Sequence, residues 1–160
     1  MNPKQKIYSE EEILELAEAI RKNETSFKWL LDNQCMELAA LTDILVHGKA
    51  NANEWLKKNK QELLCAFVSA LEGDKNSLLL LAKNGCNEWA AVANAVRNNE
   101  EDAFSWLLKN NFKHFAALAI ALKDRSSGSG KAIGGFGAGF FERKPGWWLW
   151  KRWKWKAKQA

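Results

Sequence analysis

An all-α fold is predicted for this chain, an α-solenoid of stacked short helical pairs followed by an extended tail. Three observations predict it. Four segments align on one another at spacings of 26, 25 and 26 residues. Within each, apolar residues recur at helical rather than strand spacing. Breaks at Gly48, Gly73-Asp74, Asn98-Asn99 and Lys123-Asp124 separate the copies.

The elements follow in chain order. Residues 1–8 form a short N-terminal extension. Ser9 and Glu12 then make an S-x-x-E capping box, which starts a helix. "LAEAIRKN" at 16–23 matches the end of a later helix, "VANAVRNN" at 92–99, so this first helix reads as a half-unit capping the stack. The four full units are "FKWLLDNQCMELAALTDIL", "NEWLKKNKQELLCAFVSAL", "LLLLAKNGCNEWAAVANAV" and "FSWLLKNNFKHFAALAIAL". Each reads as a first helix of about nine residues and a second of about eleven. About nine helices are expected between residues 9 and 124. Glu100, Glu101 and Asp102 place negative charge where a helix N-terminus favours it.

Equivalent positions can be named across the copies. Asn33, Asn59, Asn84 and Asn110 end the first helices, and Asn84-Gly85 suggests that these asparagines adopt the left-handed cap conformation rather than form a ligand-binding ladder. Trp29, Trp55, Leu80 and Trp106 stand four residues earlier; Leu38, Leu64, Trp89 and Phe115 stand five later. These two rows are expected to form the core, because a short helical pair cannot bury its apolar face alone.

The pattern W-L-x-x-N…L-A-A-x-x-x-A-I resembles a group of bacterial short α-helical repeat proteins, some of which end in a Gly/aromatic-rich tail. The likeness covers about three-quarters of the chain and implies architecture, with no catalytic residues to carry over. The period is too short for ankyrin repeats, and no T-P-L-H turn occurs.

Charge divides the chain in two. Residues 1–124 carry 15 Lys/Arg against 18 Asp/Glu, a net of −3; residues 125–160 carry 9 Lys/Arg against Glu142, a net of +8. Such asymmetry points to a nucleic acid, a membrane surface or an acidic protein as partner. Cys35, Cys65 and Cys86 lack CxxC pairing and read as small buried residues of a reducing compartment. The N-terminus lacks the apolar core of a secretory signal, and no apolar run reaches 18 residues. The expected location is cytoplasmic, peripheral at the membrane.

Seven of the ten glycines lie between Gly128 and Gly146, so 125–146 reads as a Gly/Ser-rich linker. Residues 147–160 form a cationic tail holding five of the nine tryptophans. Its indoles and cations share no amphipathic face at either helical or strand spacing. The candidate binding residues are Arg143, Lys144, Trp147, Trp148, Trp150, Lys151, Arg152, Trp153, Lys154, Trp155 and Lys156. Indoles favour the membrane interface and neighbouring cations an anionic leaflet. The same string suits single-stranded RNA or DNA, with indoles stacking on bases. It also suits a groove on a large, membrane-associated protein assembly, or it folds back to cover the open end of the stack. A fourth reading makes it a membrane-active peptide, Phe136 to Ala160, released by cleavage after Gly134-Gly135.

No catalytic residues are expected. His47 and His114 stand at unrelated repeat positions without ligand-spaced partners, so no metal is expected. "GSGKA" lacks the spacing of a phosphate loop. No cofactor or small-molecule substrate is implied. The sequence predicts a non-enzymatic scaffold or adaptor that binds a protein through its repeats and docks through its tail.

Overall fold

A joint with one left-handed residue recurs at every turn of this chain and sets its architecture. The computed structural model describes residues 6–127. The rest of the N-terminal extension, the linker from 128 onward and the tail lie outside the described residues. Those described are all-helical: α1 (Glu10–Ile20), α2 (Glu24–Asp32), α3 (Met36–His47), α4 (Ala50–Lys58), α5 (Glu62–Leu71), α6 (Lys75–Lys83), α7 (Asn87–Arg97), α8 (Glu101–Lys109) and α9 (Lys113–Ser127). The helix break expected at Lys123-Asp124 does not occur, because α9 continues to Ser127. The capping box is present: the Ser9 side chain accepts from the Glu12 N–H, and the Glu12 carboxylate accepts from the Ser9 N–H.

Each first helix of a pair ends in the same way. The caps Asn33, Asn59, Asn84 and Asn110 keep φ near −90°, and the left-handed residue is the next one: Gln34, Lys60, Gly85 and Asn111. This corrects the expectation that the asparagine itself turns left-handed. The reason lies in its side chain. Each Asn Nδ2 donates at 2.8 Å to the carbonyl four residues back, on Trp29, Trp55, Leu80 or Trp106. That carbonyl also accepts the backbone N–H of the same asparagine, so the side chain adds a second donor to it and ties the cap to the helix's last turn. The N–H two residues past each Asn then reaches back to Leu30, Leu56, Leu81 or Leu107, closing a Schellman motif.

Lys60 therefore holds a backbone conformation that costs an L side chain about 1–2 kcal/mol, whereas Gly85 holds the equivalent place freely. Lys60→Gly is expected to raise stability by about 0.5–1 kcal/mol, after allowance for the extra freedom of glycine in the unfolded chain. Gly85→Ala should lower it by a similar amount, with no steric clash because open space surrounds that position. Urea denaturation of both variants checks the pair; a destabilised Lys60→Gly would refute the account.

The helices pack in two layers. α1, α3, α5, α7 and α9 are inner helices, each against the next, and α9 packs against α1. The inner layer is thus a closed ring of five. A solenoid with two open ends, as the repeat pattern suggested, would hold its first and last helices apart. The outer helices α2, α4, α6 and α8 each straddle two successive inner ones. Each buries one leucine completely: Leu30, Leu56, Leu81 and Leu107.

Those leucines, not the residues before them, form the outer half of the core. Trp29 and Trp55 are half-buried, while Leu80 and Trp106 are exposed. The expected core row is corrected here, since adjacent residues on a helix point about 100° apart and only one can face the inner layer. The inner row agrees with expectation. Leu38, Leu64, Trp89 and Phe115 are buried, and Ile13 of α1 joins them. Trp89 is the aromatic centre, with edge-on contacts to Phe67 (centroids 4.8 Å apart), Phe115 (5.1 Å) and Tyr8 (6.0 Å).

Candidate functional site

The sequence-predicted binding residues, Arg143 to Lys156, lie outside the described residues. What the structure supplies is their root. α9 ends at the face where the inner helices have their C-termini, and three contacts fix it there. The Arg21 guanidinium lies 2.9 Å from the Asp124 carboxylate. The Arg125 Nη2 donates at 3.0 Å to the carbonyl of Val46, near the end of α3 and on the far side of α1. Lys123 donates to the Asn99 side chain at 2.9 Å. Burial pushes the Asp124 carboxyl above the usual range, against the pull of Arg21. The end of α9 is therefore held at a face with charges of both signs.

At the opposite face the N-terminal strap, residues 6–9, crosses the mouth of the ring. Lys6 pairs with Glu37, and the Tyr8 ring lies against Trp89. Burial, followed by the nearby Glu37 and Glu12 carboxylates, pushes the Tyr8 phenol up and keeps it neutral. This strap closes the hydrophobic centre.

The remaining sequence candidates are placed as packing residues. Cys35 and Cys86 are buried at the starts of α3 and α7, and desolvation pushes both thiols up to about 11, which keeps them protonated near neutral pH. His114 lies beside Phe112 and Phe115, and burial pulls its imidazole below the ordinary value. Among the described residues, no group of three or more His, Cys, Asp or Glu side chains is arranged to hold a metal ion. Nor, among them, is any helix long and apolar enough to cross a membrane.

The sequence reading missed an exposed pair of leucines on the outer helix α6. Leu79 and Leu80 of α6 are 57% and 44% exposed, while Leu31 of α2, Met36 at the start of α3 and Trp106 of α8 are exposed singly. A signal for it exists in the run Leu78–Leu81. An outer helix buries one leucine, so four in succession must leave apolar side chains outside.

Against family models, curated proteins and solved structures, the chain matches none.

Proposed function

We propose that this protein is a non-enzymatic adaptor whose repeat body binds a protein and whose basic, tryptophan-rich tail docks on an anionic membrane surface or a membrane-associated assembly. The stack is read as a solenoid bent until its ends meet. The observation that carries the proposal is the segregation of charge and indoles. The body to residue 124 has a net charge of −3, while the remainder has +8 and five of the nine tryptophans. A self-contained core has no need of such a segment.

The physics favours an interface. An indole inserts its ring at headgroup depth while keeping its N–H hydrogen-bonded. Each Lys or Arg near an anionic leaflet adds about 1 kcal/mol. Exposed Leu79 and Leu80 offer the body a hydrophobic contact for a second partner.

The test is co-sedimentation with phosphatidylglycerol-containing vesicles. The full chain should bind at least about tenfold more tightly than a chain ending at Ser127, with its tryptophan emission shifted to the blue. Equal sedimentation of both chains would defeat the proposal. RNA or single-stranded DNA is the second reading, favoured by the alternation of indoles with cations. It is separated by salt, because phosphate binding falls steeply as salt rises whereas inserted indoles stay.

A further inference from the structure

The mouth at which the inner helices begin is closed by chain of a different kind from the rest. Lys6 to Ser9 form no helix, and no backbone hydrogen bond between described residues involves Lys6, Ile7 or Tyr8. Side chains hold them down. Lys6 pairs with Glu37 of α3, and the Tyr8 ring meets Trp89 of α7 edge-on. Between the two, Ile7 is 89% exposed. That alternation belongs to an extended segment with one side on a surface.

The strap is lightly held. Of the three rings against Trp89, Tyr8 stands farthest, at 6.0 Å against 4.8 Å for Phe67 and 5.1 Å for Phe115. The Lys6 side chain is 48% exposed, and an ion pair so open to water contributes little. The helices close their ring without the strap, since α1 lies directly against α3 and α9. A segment tied by two side chains opens locally before the helices part.

We propose that the strap is an internal stand-in for a partner: the surface beneath it docks an extended segment of another protein that carries a lysine or arginine two residues before an aromatic side chain. This deepens the reading that the repeat body binds a protein, and rests on it. The strap's own contacts define the chemistry. Trp89 is 4% exposed with Tyr8 in place, and a segment without an aromatic ring would leave its edge uncovered. The Glu37 side chain is 9% exposed. A segment that covered it again without bringing a cation would bury a carboxylate unpaired. Glu12 lies near the same phenol, so an acidic segment is repelled. Cation and ring also support each other, since the Lys6 Nζ lies 5.2 Å from the Tyr8 centroid. The tethered strap competes, so a partner meets the site only in those molecules whose strap has lifted.

Titration of the isotope-labelled full chain with a synthetic peptide of residues 6–10, KIYSE, tests this by nuclear magnetic resonance at millimolar peptide. Lys6→Ala loosens the strap and leaves the helical core untouched. It should raise the peptide's apparent affinity about threefold over wild type, read at the Trp89 indole signal. Lys6→Ala with Tyr8→Ala should raise it at least about tenfold, with circular dichroism confirming an intact ring. If that double variant does not fold, Lys6→Ala alone decides. Replacing the peptide's lysine with glutamate, or its tyrosine with alanine, should weaken binding about tenfold. Glu37→Gln should remove the preference for lysine over glutamate. No shift in a folded loosened chain, equal affinity for the wild type, or equal binding of the altered peptides would each overturn the proposal. So would a loosened chain that pairs with a second copy through the strap instead of taking the peptide. No vesicle enters this test, so its failure is distinct from a failure of docking through the tail.

Discussion

Trp89→Ala is expected to lower stability by about 3–5 kcal/mol, the range for truncating a large aromatic in a packed core. The indole is buried and touches aromatic rings from three other parts of the chain: Tyr8 of the strap, Phe67 of α5 and Phe115 of α9. Each edge-on pair adds about 0.5–1.5 kcal/mol beyond its buried area. Removing the indole also leaves the centre of the ring empty, where helices from every side meet and none can move in without breaking another contact. Against a typical total of about 5–15 kcal/mol, that loss leaves a marginal protein. Trp106→Ala is the control. Trp106 is 37% exposed and stacks on Phe112 at 5.6 Å, so its truncation should cost less than about 1.5 kcal/mol. Urea denaturation compares them, and equal costs would show that the ring is not centred on Trp89.

These two tryptophans also show what the sequence can convey. Helix positions and the places of the joints were legible because they depend on local chemistry, although the residue that turns left-handed is one beyond the expected asparagine. The asparagine at each cap, the apolar spacing and the 25–26-residue period are all visible in one dimension. The buried outer row was misplaced by one residue because bulk argued for tryptophan. The better guide was identity among the copies. Leucine stands at positions 30, 56, 81 and 107 without exception, whereas the tryptophan row admits Leu80. A position that must fill a fixed hole tolerates less variation than one at its rim.

Closure was less legible for a different reason. A period states which helices are neighbours but not the small rotation from one unit to the next, and that rotation decides between an open stack and a ring. It depends on the relative volumes of facing side chains, here Phe67, Trp89 and Phe115 beside small residues such as Ala90-Ala91 in the same core. One sign of closure was present in α1. A helix that ends a stack needs a polar outer face, yet "ILELAEAI" is buried from Ile13 to Ile20 along its whole length. The candidate site stayed illegible beyond its composition, since Trp/Lys alternation suits several partners.

Deleting residues 1–20 should abolish cooperative folding of the full chain. In an open stack, loss of the terminal half-unit removes one interface and leaves the other units standing, because stability is nearly a sum over neighbours. In the ring, α1 is a neighbour of α2 and α3 on one side and of α9 on the other, so its loss opens both ends together. Ile13, Leu16 and Ile20 are completely buried. At about 1.5–3 kcal/mol each, these three alone contribute roughly 5–9 kcal/mol, comparable with the whole stability of a domain this size. The deletion also removes Tyr8 from Trp89 and Glu12 from the Cys35 thiol, and exposes the faces of α9 and α3 that α1 covered. Thermal melting and native-state hydrogen exchange check it. The ring requires that α9, more than 90 residues from the deletion, lose its protection together with α2. A shortened chain that still melts cooperatively within a few degrees of the full one, with α9 amides protected as before, would show that α1 is an end cap and that the ring is not the unit of stability.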